Sequence, residues 1–273
     1  MYELNGIRKL FADGVVGLDD VSLTVGHGEH VAFIGPSGAG KTTLFRILNL
    51  TLRPTAGRLN FDGHDVGSLS DGALRAARTR IGTIYQQQNL VGRLRVVHNV
   101  LAGNLGRWNA LEAVTSFVRP HVAPAANALT QVGIPDKLWA RTDELSGGQQ
   151  QRVAIARVLV QDPDVILADE PVSSVDPSLA VSIVSLLREL SARARKTLCM
   201  NLHSVDLALA YFPRVIGVRD GRVHFDLPPD KVNDELLAEL YDGQRDGERP
   251  LEPTPHGQSP YGTACRPLRG FTR

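Results

Sequence analysis

The stretch Gly35-Pro36-Ser37-Gly38-Ala39-Gly40-Lys41-Thr42-Thr43 constrains this chain more than any other. It has the form G-x-x-x-x-G-K-[ST], which requires a strand running into a tight turn and a helix running out of it. Both flanks comply. Residues 30–34 are a continuous apolar run of strand type, and residues 41–50 have helical periodicity. The glycines let the backbone approach phosphate oxygens closely, and the amides of the turn combine with the helix N-terminus into an anion site. On this reading Gly35, Pro36, Ser37, Gly38, Ala39, Gly40, Lys41, Thr42 and Thr43 cradle a nucleotide's phosphates. Lys41 is expected to reach the β- and γ-phosphates, and the Thr42 hydroxyl to ligate Mg²⁺. Kinases, GTPases and motor ATPases all carry such a loop, so it does not by itself choose among them.

A chain of 273 residues has room for a large core without staples. Its 30 basic residues nearly balance its 29 acidic ones, which gives no support for a nucleic-acid or anionic-membrane partner held by bulk charge. The two cysteines, Cys199 in an apolar run and Cys265 near the end, suggest a buried thiol and no structural disulfide, as in a reducing compartment. The first residues lack the pattern of a signal peptide, and no apolar stretch approaches the ~18 residues of a membrane span. Any membrane role is therefore expected through a partner.

Residues 2–10, 18–25 and 58–62 have strand character and turns such as Asp13-Gly14 and Asp62-Gly63 between them, which predicts an antiparallel sheet beside the nucleotide core. Phe11 closes the first of these strands, as a core aromatic or as a platform for an adenine ring. Residues 70–80 read as a short basic helix and 81–85 as a core strand, with Gln86-Gln87-Gln88 following. Residues 89–143 hold amphipathic helical stretches, both tryptophans and several prolines, and read as an inserted helical lobe. Alternation then resumes: strand 165–168, helix 178–193, strand 197–202, helix 204–211, strand 214–218, then an Asp220-Gly221 hairpin into 222–225. This pattern predicts a parallel α/β sheet. From about residue 244 the chain turns proline- and glycine-rich and reads as a disordered tail whose removal leaves turnover intact.

The strand at 165–168 ends in Asp169-Glu170. In a parallel α/β fold, function gathers at the C-terminal ends of strands. Asp169 is placed to hold Mg²⁺ opposite Thr42, and Glu170 to activate a water for in-line attack. A second helix start, Leu145-Ser146-Gly147-Gly148-Gln149-Gln150-Gln151-Arg152, has Ser146 as its cap and an apolar helix behind it. One phosphate loop but two anion-binding helix ends suggests two copies arranged head to tail, each closing the other's nucleotide.

The stretch LSGGQQQRVAIAR resembles the signature of ABC-family ATPases, and the resemblance extends over residues 1–241. It implies an α/β P-loop NTPase with a RecA-like parallel core, an antiparallel β subdomain and an inserted α-helical subdomain. The expected division is an ATPase domain over 1–243, with 1–86 and 162–243 as nucleotide core and 87–161 as the helical signature part, followed by the tail at 244–273. The resemblance casts Phe11 as the adenine-stacking aromatic and Gln86 as the glutamine that senses Mg²⁺ and the membrane partner. Ser146, Gly147, Gly148 and Gln149 become the signature contacts to a partner's nucleotide. Ser173-Ser174-Val175-Asp176 matches the D-loop, with Asp176 at the dimer seam and Val175 where the family usually has Leu. His203 is cast as the switch histidine. Lys41, Gln86, Glu170 and His203 are thus the expected catalytic set, with ATP and Mg²⁺ as cofactors.

Finer similarity runs through Gln86 to Leu94, Asn99 to Gly103, Gly106-Arg107-Trp108, Ile166 to Pro171 with Val172, and Leu202 to Ala208, which look like phosphonate-import ATPases. That implies a peripheral subunit on the cytoplasmic face of the cell membrane. Its partners would be a second copy of itself, membrane permease subunits and, indirectly, an extracytoplasmic solute-binding protein. Another transport branch, such as export or lipoprotein release, shares the same ATPase chemistry. A non-transport ABC protein fits less well, since the chain has one set of motifs and a short lobe.

Overall fold

The computed structural model describes residues 1–173 and 175–242. The expected tail, Cys265 and Ser174 of the D-loop lie outside the described residues. The chain opens with β1 (Tyr2–Leu10) and β2 (Val16–Val25), whose alternating burial marks a sheet with one wet face. Next come β3 (His30–Ile34), α1 (Lys41–Leu48), β4 (Ala56–Phe61) and β5 (His64–Asp65), then α2 (Asp71–Thr79) and β6 (Ile81–Ile84). The lobe holds α3 (Val96–Leu101), α4 (Ala110–Val118) and α5 (Val122–Gln131), and leads to α6 (Gly147–Gln161). Then follow β7 (Val165–Asp169), α7 (Pro177–Arg193), β8 (Thr197–Asn201), α8 (Val205–Tyr211), β9 (Arg214–Arg219), β10 (Arg222–Leu227) and α9 (Asp234–Tyr241).

Two sheets result. The antiparallel sheet runs β2-β1-β4-β5 and the larger one β10-β9-β3-β8-β7-β6. In the larger sheet β9, β3, β8, β7 and β6 are parallel, and only β10 joins antiparallel. Strands β3 and β8 are buried almost end to end, as expected where helices cover both faces of a parallel sheet. This is the expected P-loop NTPase architecture. One apolar core runs from the sheet (Ala32, Ile34, Met200) into the lobe and signature helix (Val97, Leu129, Ile155); a second packs β1, β2, β4 and α1.

Boundaries shift where short-range chemistry decides them. The helix after the phosphate loop stops at Leu48, because Leu50 takes φ 60°. The strand before Gln86 ends at Ile84, leaving Tyr85 at the surface. The signature helix, by contrast, begins at Gly147 directly on its expected Ser146 cap. Two elements carry no sequence expectation. One is the two-residue β5, created by the tight Asp62-Gly63 turn; the other is α9, capped by Asn233 and anchored by buried Leu240.

Candidate functional site

The register of the parallel strands brings the site together. Ile84 pairs with Ala168, Asp169 with Asn201, and Phe33 with Asn201 on its other side. Gln86, Glu170, His203 and Gly35 therefore all emerge at one edge, the C-terminal ends of β6, β7, β8 and β3. The loop from Gly35 leads into α1, whose cap Gly40 has φ 99° and supplies no side chain. A Cβ on Gly40 would lie 2.5 Å from the Gly17 carbonyl oxygen, and one on Gly35 (φ 145°) would collide with the Val218 carbonyl. The loop is thus pressed against β2 and β9 so closely that only glycine fits. The turn between β9 and β10 completes the brace: the Gly221 amide donates to the Ala39 carbonyl at 3.0 Å, and the Asp19 amide donates to the Gly221 carbonyl at 2.8 Å. Sequence reading identified Asp220-Gly221 only as a hairpin and missed this role.

Lys41 is buried and its Nζ donates to the carbonyls of Gly35 and Pro36 at 2.6 and 2.8 Å. Burial pushes its ammonium below the usual lysine range, while the Glu170 and Asp169 carboxylates pull it back up. Asp169 is held above its usual range, chiefly by burial and secondarily by neighbouring Glu170; a hydrogen bond from Asn201 Nδ2 at 2.7 Å opposes this. Asn201 is fully buried and its Oδ1 has no partner among the described residues. It too was missed, although a polar residue closing the apolar run 197–200 is a readable signal. Glu170 sits at φ 51°, a backbone region an L side chain occupies only under constraint, and its Oε1 lies 2.7 Å from His203 Nε2. Lys41, Asp169, Glu170 and His203 therefore form one cluster beside the phosphate loop.

Among the described residues no group of three or more His, Cys, Asp or Glu could hold a metal by itself. That fits Mg²⁺, which is bound by one or two carboxylates together with substrate phosphates and water. The expected ligands, the hydroxyl of Thr42, the carboxylate of Asp169 and the amide of Gln86, carry hard oxygen donors of the kind Mg²⁺ prefers.

The ABC transporter family matches residues 18–173, more than half of the chain. A phosphonates import ATP-binding protein of Pseudomonas aeruginosa is 49% identical over 239 residues, 87% of this chain and 90% of that protein. One from Halalkalibacterium halodurans is 43% identical over 242 residues, 88% of this chain and 94% of its own. The chain belongs to the ABC transporter family. Solved ABC cassettes agree. A dimeric cassette in a post-hydrolysis state bound to ADP and Pi superposes with TM-score 0.73 at 30% identity, over 84% of this chain and 99% of that one. The cbiO1 cassette of Clostridium perfringens gives 0.74 at 29%, over 87% and 90%. This chain is accordingly an ABC-type ATPase that binds ATP.

The remaining ABC elements lie apart from that cluster. Ser146 caps α6 in a reciprocal box, its Oγ accepting from the Gln149 amide at 3.3 Å while Gln149 Oε1 accepts from the Ser146 amide at 3.1 Å. Gly147 has open space around it, whereas a Cβ on Gly148 would lie 2.5 Å from Leu179 Cδ2. Asp176 caps α7 by accepting from the Leu179 amide at 2.9 Å, a structural duty not read from sequence. Phe11 is half-buried beside Gly17 and Thr43, at the start of α1, with Lys9 Nζ 5.5 Å from its ring. Gln86 stands exposed and makes no side-chain hydrogen bond among the described residues. The segment after it is pinned instead. Arg157 of the signature helix donates to the carbonyls of Asn89 and Gln88 at 2.9 and 3.0 Å, and buried Asn99 bonds both the amide and the carbonyl of Val91. Arg157 is a further residue that sequence reading passed over.

Proposed function

We propose that this ABC-type ATPase powers the import of phosphonates or a related phosphorus oxyanion through a membrane permease fed by an extracytoplasmic binding protein. The observation carrying this reading is that relatives named as phosphonates import ATP-binding proteins share 41–49% identity with this chain and align over 85–98% of their own lengths. No described helix is long and apolar enough to cross a membrane, consistent with a peripheral subunit recruited to the cytoplasmic face. A groove of about 500 Å³ beside the pinned segment, bordered by Arg75, Arg78, Tyr85, Leu105, Arg107 and Arg157, offers the permease a docking surface next to Gln86.

In the working cycle, the adenine of ATP stacks on Phe11 and the phosphates lie along Gly35 to Thr43. Glu170 takes a proton from water as the water oxygen bonds to the γ-phosphorus and ADP leaves. His203, Gln86 and Lys41 carry hydrogen bonds and positive charge to the transferring group. Thr42, Asp169 and Gln86 would hold Mg²⁺, which when bound would supply charge neutralisation for the phosphate oxygens. In a head-to-tail pair, Ser146, Gly147, Gly148 and Gln149 close over the second copy's nucleotide and Asp176 lies at the seam.

Glu170→Gln tests the assignment. The variant should bind ATP normally, hydrolyse it about 10²–10³-fold more slowly and accumulate as an ATP-bound dimer on size exclusion. Turnover within a few-fold of wild type would overturn the role of Glu170. Uptake of a radiolabelled alkylphosphonate, lost on deletion of this subunit and restored by wild type but not by the variant, tests the substrate class.

A further inference from the structure

Helix α4 is built inside out. Its ends are well made: Asn109 and Glu112 form a reciprocal capping box, so nine residues are held helical on purpose. Yet none of the nine is buried. Leu111, Val114, Phe117 and Val118 are 73%, 63%, 57% and 72% exposed. At 100° per residue these four side chains fall within an arc of about 120°, a single apolar ridge. The half-buried positions are Ala113 and Ser116, so the small and polar side faces the protein. Of the apolar ridge, Phe117 meets another element, its ring 5.0 Å from that of His98 on α3, and Leu111, Val114 and Val118 face outward. In water the exposed part of such a ridge is a cost that one ring contact does not offset, and it marks a surface made for a partner.

The surroundings say which partner. Between Val91 and His121 the chain carries Arg93, Arg95, Arg107 and Arg119 but a single acid, Glu112, which is already engaged in the cap. Arg107 and Arg119 stand just before and just after the helix. Exposed Trp139, with the Arg95 guanidinium 5.8 Å from its ring, lies beside the start of α3, the helix whose His98 meets Phe117. An apolar ridge with an arginine at each end is the pattern of a helix lying in a lipid interface, where the acyl boundary takes the ridge and anionic headgroups meet the arginines. A protein partner would have to supply a matching pocket.

We infer that α4 is a membrane-surface contact that seats this subunit on the anionic leaflet. This rests on the peripheral-subunit reading above, because Leu105 and Arg107, which border the proposed permease groove, lead directly into α4. Lipid contact at α4 would add to permease docking and hold the cassette at the bilayer between partners.

The test is co-sedimentation of the full chain with two kinds of vesicle, pure phosphatidylcholine and phosphatidylcholine with about one part in three phosphatidylglycerol. Binding should be confined to the anionic vesicles and should weaken as salt rises. Combined Leu111→Ser, Val114→Ser and Phe117→Ser should lower vesicle affinity about tenfold or more while ATP affinity and basal turnover stay at wild-type values, since no residue of α4 belongs to the core or the site. Wild-type protein that ignores anionic vesicles, or a triple variant that binds them equally well, overturns the inference. So does a triple variant that loses only permease co-purification in detergent, which would make the ridge a protein contact. If vesicle binding holds while the permease fails to stimulate ATP turnover, the transport reading fails and the lipid contact stands.

Discussion

The helix N-termini of α1 and α6, which sequence reading casts as anion sites, are closed in opposite ways. At α1 the cap is Gly40 in a left-handed conformation, no side chain closes the end, and the turn is braced from behind by Gly17, Val218 and Gly221. At α6 the cap is Ser146, and Ser146 and Gln149 close the end on themselves. The first end is a rigid cradle that is ready within one chain. The second is satisfied until something outside the chain replaces its cap. The contrast explains why one chain has a complete phosphate loop while its signature end remains separate from the cluster of Lys41, Asp169, Glu170 and His203.

Substitutions at the two ends test this contrast. The largest effect is expected from Gly35→Ala, where a Cβ meets the Val218 carbonyl in a backbone region closed to side chains. Thermal denaturation should show a loss of more than about 3 kcal/mol, with ATP binding abolished. Lys41→Ala should preserve the fold but cut ATP turnover about 10²–10³-fold in a steady-state assay. Normal turnover would remove Lys41 from the chemistry. Ser146→Ala should cost about 1 kcal/mol of stability as a lost cap. It should also weaken ATP-driven pairing by roughly tenfold while single-chain ATP affinity, measured by calorimetry, stays unchanged. A fall in that affinity would erase the distinction between the ends. Gly148→Ala is expected to be the mildest, within about 0.5 kcal/mol in the same denaturation assay. The new methyl meets the tip of the Leu179 side chain, which can turn aside, and alanine favours helix.

The same contrast separates what sequence disclosed from what it withheld. The phosphate loop, the signature cap and the carboxylate pair were legible because each is a contiguous run whose chemistry depends on local spacing. The buried strands β3, β7 and β8 were legible from unbroken apolar runs. The Gly221 brace was not, since it joins residues nearly two hundred positions apart that share no pattern. Arg157 and Asn201 were hidden for a related reason: each works through a partner on another element, Arg157 through Gln88 and Asn89 and Asn201 through Asp169. The helical character of α4 showed in its periodicity, but periodicity does not say whether an apolar face turns inward or outward.

The bracing of the phosphate loop by Gly221 also orders events during synthesis. The loop leaves the ribosome well before its buttress, which lies far downstream in the chain, and β3 must wait for β8 and β9 to flank it. A nascent chain therefore carries the nucleotide-gripping sequence long before it carries the shape, and stays catalytically silent until its last parallel strand has docked.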